Sequence, residues 1–110
     1  MLTRQDIIRS VNDFVESAKK ENIVIEKILL FGSYAKGSPH KYSDIDLAVF
    51  SQQFTNNHFE NNKAIQFTKR LPQMQLHLYP LKEFEENLFV SEIKKHAIDL
   101  TPMKKLIEPM

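Results

Sequence analysis

Residues 29–50 read LLFGSYAKGSPHKYSDIDLAVF, and this segment joins two apolar runs through a polar loop. The chain contains only two glycines, Gly32 and Gly37, and both lie in the loop. Glycine permits a positive φ and lets the backbone approach another group closely. The segment therefore predicts a strand, a loop suited to close contact with a ligand, and a second strand.

The composition of the whole chain is that of an ordinary globular domain. Its 110 residues are 42% hydrophobic and 26% charged, with 15 basic side chains, 14 acidic side chains and no cysteine. The lack of cysteine excludes disulfides and thiolate metal sites, and the balanced charge argues against a long nucleic acid as partner. No apolar run reaches the roughly 18 residues of a membrane span, so we expect a cytoplasmic protein without membrane contact. We expect one domain over residues 1–110, in which residues 103–110 form a tail or a partner-docking segment.

Apolar periodicity predicts the elements of the first half. Apolar residues recur at three- and four-residue spacing from Arg4 to Lys20, which predicts a helix, and Thr3 with Asp6 supplies its N-terminal cap. Nearly continuous apolar runs at residues 23–31 and 45–50 predict two buried strands.

The second half predicts a helix, a strand and a further helix. Asn56 or Asn57 can begin a helix that Pro72 ends, and strict alternation at residues 73–79 predicts a third strand. The last helix is followed by a short extended piece at residues 97–100. The apolar positions expected in the helix before Pro72 are Phe59, Ala64, Phe67 and Leu71. The order α-β-(short α)-β-α-β-α predicts an α/β (α+β) fold in which helices cover a small mixed sheet.

Two aspartates stand one residue apart at the start of the second predicted strand. Residues i and i+2 of a strand point to the same side, roughly 6.6 Å apart, so Asp44 and Asp46 should face one way while Ile45 and Leu47 face the core. Adjacent carboxylates repel each other unless a cation lies between them, and oxygen ligands suit Mg²⁺. Two such ions about 3.5–4 Å apart would hold the attacking and leaving oxygens of a phosphoryl or nucleotidyl transfer.

The Gly32-Ser33 pair lies directly after the first strand, at the predicted start of a short helix through Lys36. Gly32 lets the backbone come close, while the Ser33 hydroxyl and backbone N–H groups can bind a phosphate. Lys36 can add a positive charge. The loop therefore offers phosphate-binding groups beside the metal ligands of the second strand.

These residues stand at a characteristic spacing. Gly32-Ser33-x-Ala35-x-Gly37, followed by Ser43-Asp44-Ile45-Asp46-Leu47, resembles the signature of the DNA polymerase β-like nucleotidyltransferase superfamily. The small size is similar to that of the minimal nucleotidyltransferases (MNT), which often stand beside a helical HEPN partner in prokaryotic toxin–antitoxin pairs. The signature covers about residues 31–50, and the predicted order of elements is compatible with it over the rest of the chain.

The resemblance implies a role for each residue of the motif. Those expected to contact ATP or another nucleoside triphosphate are Gly32, Ser33, Lys36 and Gly37. The catalytic residues would be Asp44 and Asp46, which would also hold Mg²⁺ or Mn²⁺. Many relatives carry arginine where this chain has Lys36, so the charge is kept but the bidentate fork is lost.

The family normally completes its site with a third carboxylate on the next core strand. The best candidate position in this chain is Gln75, whose neutral amide can neither accept the proton of an attacking hydroxyl nor balance a second ion. His77 shares the face of Gln75 and could bind metal, act as a base, or be an ordinary strand histidine. His40 could meet the substrate or be a solvated loop residue. The remaining histidines, His58 and His96, are expected at helix ends.

Three functions are compatible with these residues. The first is transfer of a nucleoside monophosphate from ATP, or another nucleoside triphosphate, to a hydroxyl of a partner protein. By resemblance this partner would be a HEPN-type toxin held in a hetero-oligomer. The second is a catalytically weak or inactive relative that neutralises its partner by binding, which the neutral Gln75 favours. The third is transfer to a small molecule, although the short chain leaves little material for a substrate pocket.

Overall fold

A mixed four-stranded sheet organises the chain. The computed structural model describes residues 2–101, and the tail predicted at residues 103–110 lies outside this range. The helices are α1 (Arg4–Lys20), α2 (Ser33–Lys36), α3 (His58–Ala64), α4 (Glu83–Glu86) and α5 (Leu88–Lys94). The strands are β1 (Lys27–Phe31), β2 (Ile45–Ser51), β3 (Met74–Pro80) and β4 (Ile98–Asp99). The predicted α/β (α+β) class, with helices around a mixed sheet, is confirmed.

The strand order is β3-β2-β1-β4, which puts the second strand between the first and the third. Strand β1 runs antiparallel to both β2 and β4, whereas β2 and β3 are parallel. Phe31 pairs with Asp46, and Asp46 pairs in turn with Gln75. These three residues form one row across the sheet, and directly paired residues have side chains on the same face.

Helix α1 begins and ends where the sequence predicts. The Thr3 hydroxyl accepts a hydrogen bond from the Asp6 N–H at 3.1 Å, and the Asp6 carboxylate accepts one from the Thr3 N–H at 2.9 Å. This capping box satisfies two N–H groups that the helix itself cannot bond. The same hydrogen bonds with Thr3 lower the pKa of Asp6, since they favour the charged carboxylate.

Each face of the sheet carries its own apolar core. One core contains the buried side of α1 together with alternate strand residues such as Leu30 and Leu47. The opposite face has a smaller core around Leu29, Ala48 and Phe50, covered by α4 and α5. The α1 side chains buried in the first core are Ile7, Val11, Phe14 and Ala18.

The first strand is shorter than the sequence predicts. The apolar run from residue 23 onward suggested a continuous strand, but β1 begins at Lys27 and Val24 is 53% exposed. The Val24 N–H donates to the side-chain oxygen of Gln53 at 2.7 Å, where a strand would have a backbone partner. The buried residues on either side of Val24, Ile23 and Ile25, therefore belong to an extended segment that leads into the sheet.

The third helix is also shorter than predicted. Asn57 caps it, and its side chain accepts from the Glu60 N–H at 3.0 Å, but the helix ends at Ala64. The Ile65 carbonyl accepts from both the N–H and the hydroxyl of Thr68, at 3.0 and 2.6 Å, so the chain turns before Pro72. Phe59 and Phe67, which the sequence predicts in this helix, are 75% and 76% exposed, and Phe67 lies beyond its end.

The last predicted helix is divided in two. Asn87 adopts an extended conformation between α4 and α5, and its side chain accepts from the Val90 N–H at 3.0 Å. Asn87 is therefore the cap that restarts the helix. The extended piece predicted at residues 97–100 is confirmed by β4, and the Leu100 N–H continues the pairing by donating to the Ile28 carbonyl at 2.9 Å.

None of the helices within residues 2–101 combines the length and the apolar character needed to cross a membrane.

Replacing Phe14 by alanine should lower the free energy of unfolding by about 3–5 kcal/mol, because it leaves a cavity in the α1 core. The matched variant Phe59→Ala should change it by less than about 0.5 kcal/mol, since this ring is mostly in solvent. Chemical denaturation of both variants measures the difference. Equal losses would contradict the exposed position of Phe59.

Candidate active site

The row Phe31, Asp46 and Gln75 lies at the edge of the smaller core. Asp46 is the second residue of β2, and its side chain is partly exposed at 29%. The apolar residues that follow it on the same face, Ala48 and Phe50, are fully buried. Asp46 thus marks the point where the covered part of this sheet face gives way to solvent.

Gly32 packs its backbone directly against the Asp46 carboxylate. Its φ is +78°, and a Cβ built on it would collide with Asp46 Oδ2. Position 32 therefore excludes a side chain for two reasons, the backbone conformation and the space. Gly37 has a similar φ of +77° but open space around it, and it ends α2 in the left-handed conformation. The two glycines have different structural tasks.

The predicted short helix after Gly32 is confirmed as α2. The Gly32 carbonyl accepts from the N–H groups of Ala35 and Lys36, both at 3.1 Å. The first N–H groups of a helix have no intrahelical partner, so those of Ser33 and Tyr34 are directed toward the helix start. Lys36, at the other end of this single turn, is exposed.

Hydrogen bonds within the loop fix its return to the sheet. The His40 N–H donates to the Ser43 hydroxyl at 2.8 Å, and His40 Nδ1 accepts from the Tyr42 N–H at 3.3 Å. His40 thus has a structural contact inside the loop. Ser43 is buried, and the exposed Asp44 that follows it lies one residue before β2.

Asp46 has a destabilised negative charge. Burial raises the pKa of its carboxyl group, and the nearby charge of Asp44 raises it further. His77 acts in the opposite direction, with Nε2 3.9 Å from Asp46 Oδ1. The pKa is nevertheless raised on balance, because burial is the largest of these effects.

His77 and Gln75 lie on β3 beside Asp46. Gln75 is exposed and directly opposite Asp46 in the sheet register, which is the place where a third carboxylate would stand. His77 pairs with Ala48, so it lies on the same face one step further along the strand. The structure therefore brings both third-strand positions to the side of the carboxylate.

Three aromatic rings line the covered side of the site. The rings of Phe31 and His77 have centroids 5.2 Å apart, and those of Phe31 and Phe89 are 6.0 Å apart in an edge-to-face arrangement. Ala48 lies on β2, between β1 and β3, and its small side chain leaves room for the contact between Phe31 and His77. We call Phe31, His77 and Phe89 the aromatic wall.

A family model described as the nucleotidyltransferase domain matches residues 8–100. The chain belongs to this family. The matched range includes the loop, both aspartates, the row across the sheet and the aromatic wall. The sequence resemblance to the nucleotidyltransferase superfamily is thereby confirmed.

Solved structures resemble this nucleotidyltransferase domain to different extents. A candidate nucleotidyltransferase from Sulfolobus solfataricus is 18% identical with a TM-score of 0.62, over 84% of this chain and 77% of that one. A toxin–antitoxin structure with AMP-PNP is 21% identical with a TM-score of 0.49, over 94% and 77%. A mutant of the MntA–HpeT toxin–antitoxin is 19% identical with a TM-score of 0.48, over the same shares. The comparison with curated proteins finds no significant match.

The donor set of the nucleotidyltransferase domain suits one hydrated magnesium ion. Within residues 2–101 no group of three or more His, Asp or Glu side chains is arranged to hold a metal. Mg²⁺ commonly binds through one or two carboxylates and completes its shell with water and substrate phosphate. Asp44 and Asp46 are the two neighbouring carboxylates that could bind such an ion.

The sequence motif did not reveal the aromatic wall. Strand alternation after the buried Leu30 places Phe31 on the Asp46 face, and this could have been deduced from the sequence. Phe89 could not, because its position depends on how α5 packs against the sheet through Val90.

Replacing Gly32 by alanine should destabilise the domain more than replacing Gly37. Alanine at either position costs about 1–2 kcal/mol for the left-handed backbone. Gly32→Ala must also displace Asp46, which adds about 1–3 kcal/mol of overpacking. Chemical denaturation gives both values, and the NMR shift of the Asp46 side chain should change only in Gly32→Ala. Equal effects of the two substitutions would show that the backbone of residue 32 does not touch the carboxylate.

Proposed function

We propose that this nucleotidyltransferase domain is an antitoxin that transfers a nucleoside monophosphate from ATP to a hydroxyl group of a helical HEPN-type toxin and so silences it. The observation that carries the proposal is the contact between the Gly32 backbone and the Asp46 carboxylate. The contact supports the proposal because transfer of a phosphorus-centred group requires a phosphate-binding turn beside a metal ligand, and these are the roles that we assign to the Gly32 turn and to Asp46.

Each residue of the motif has a role in this reaction. The Ser33 hydroxyl and the first N–H groups of α2 bind the triphosphate, and Lys36 adds a positive charge at the end of the same turn. The close packing at Gly32 keeps this turn against Asp46. Gly37 ends the turn in a conformation that favours glycine. Helix α2 has a single turn, so individual N–H and hydroxyl groups bind the phosphate and the helix dipole adds little.

Asp44 and Asp46 would hold Mg²⁺ or Mn²⁺. When bound, the ion neutralises negative charge on the group being transferred. In the reaction, the acceptor oxygen bonds to the α-phosphorus, the bond from this phosphorus to pyrophosphate breaks, and the hydroxyl proton passes to solvent. The row across the sheet keeps Asp46 directly between the loop that follows β1 and the β3 residues.

The small size of the fold supports a protein as the acceptor. The described residues form one sheet and the helices that cover it, and the candidate site opens to solvent beside Gln75. We infer that a second molecule supplies the surface that presents the hydroxyl. The resemblance of the motif and size to minimal nucleotidyltransferases supports a helical partner in a hetero-oligomer.

Incubation with labelled ATP, Mg²⁺ and the product of the neighbouring gene should label that protein. Asp44→Asn and Asp46→Asn should each reduce the rate of labelling by at least about 100-fold, as expected when a charge-stabilising group is removed from a transfer site. Asp13→Asn is the matched control, because Asp13 lies on α1 in a surface pair with Lys69. Label transfer by the double variant Asp44→Asn, Asp46→Asn at the native rate would contradict the assigned site.

A second candidate is a protein that neutralises its partner by binding alone. The pairing of β2 with β3 favours this candidate, because it puts the neutral Gln75 directly opposite Asp46. A glutamine there cannot accept the proton of an attacking hydroxyl. This candidate predicts a stable complex with the partner and no transfer of label.

Gln75→Glu separates the two candidates. We expect the native chain to transfer label and the variant to transfer it faster, because a third carboxylate can accept the hydroxyl proton and balance a second cation. Gln66→Glu, an exposed change in the turn after α3, is the charge-matched control. A silent native chain that becomes active only as Gln75→Glu would favour the binding protein.

A further inference from the structure

We propose that Phe89 is the stacking platform for the base of the nucleoside triphosphate. The inference rests on the proposed function, because it assigns the base to one side of the site that holds the phosphates. It also gives a ligand-binding role to a residue outside the sequence motif. Phe89 is distant in sequence from the loop and the aspartates.

The position of the aromatic wall relative to the motif supports this assignment. Phe31 immediately precedes Gly32 and pairs with Asp46 across the sheet, so its ring lies on the face of the carboxylate. Phe89 packs its ring at 82° to that of Phe31, with the centroids 6.0 Å apart. If the phosphates of a nucleotide lie at Gly32 and Asp46, the Phe89 ring lies on the side of the site that α5 covers.

The exposure of Phe89 indicates an available surface. The ring is 49% exposed, although it contacts Phe31 on one side. The next residue, Val90, is fully buried in the smaller core, and the Asn87 cap fixes the start of the helix. The half-exposed ring is thus held on an anchored helix, which reduces the entropy lost when a flat ligand stacks on it.

The chemistry of the platform predicts its selectivity. A phenylalanine ring has no hydrogen-bonding group, so it binds a base through its π face and discriminates little between bases. Purines present a larger face than pyrimidines. We therefore expect ATP and GTP to bind similarly and both to bind more tightly than CTP or UTP.

Nucleotide titration of Phe89→Ala tests the platform. Loss of one base–aromatic stack should weaken ATP binding by about 5- to 150-fold. Binding of inorganic tripolyphosphate should not change, because it has the phosphates but no base. Leu88→Ala is the matched control, since Leu88 precedes Phe89 on the same turn and is 85% exposed. Phe89→Tyr keeps the stacking face and should restore ATP binding.

Phe89→Trp gives an independent readout, because the chain contains no other tryptophan. ATP should quench its fluorescence and tripolyphosphate should not, whereas Leu88→Trp should respond to neither. ATP binding by Phe89→Ala at native affinity would overturn the platform and leave the proposed function intact. Equal weakening of ATP and tripolyphosphate would also overturn it. A native chain that binds neither compound would overturn both the platform and the proposed function.

Discussion

The pairing of Phe31 with Asp46 is the constraint on which the rest of the structure depends. It fixes which face of β2 carries the carboxylate, and a slip of one residue would turn Asp46 toward the apolar core of α1. The same pairing brings Gly32, the next residue after Phe31, against that carboxylate. Parallel pairing with β3 then adds Gln75 and His77 on the other side. One register thus assembles a site from three strands.

The candidate site lowers the stability of the folded chain. Burial and the neighbouring Asp44 raise the pKa of Asp46, which means that its ionised form is unfavourable in the folded chain. The half-exposed apolar ring of Phe89 also adds nothing to the buried core on its solvent side. The apolar cores on both faces of the sheet offset these costs, and a bound cation and nucleotide would further stabilise the folded state.

The sequence predicts local features better than features that depend on distant contacts. The Thr3 cap, the short helix after Gly32 and the alternation of β3 are local, and all three are present. Phe67 lies beyond the end of α3, because Thr68 bonds to Ile65 and turns the chain early, and Phe59 is in α3 but mostly in solvent. The motif located the loop and both aspartates. The position of Phe89 beside the site could not be predicted, since it depends on how α5 packs on the sheet.

Strand β4, near the end of the described residues, covers an edge of the sheet that would otherwise be exposed. Strand β4 has only two residues, yet it covers the outer edge of β1 by pairing with Leu29 and Leu30. All the residues between β1 and β4 must be synthesised before this pairing can form. Until then the edge of β1 presents unpaired N–H and carbonyl groups between apolar side chains, which is a template for pairing with another chain. The nascent chain is therefore vulnerable to aggregation at this edge until β4 has been synthesised.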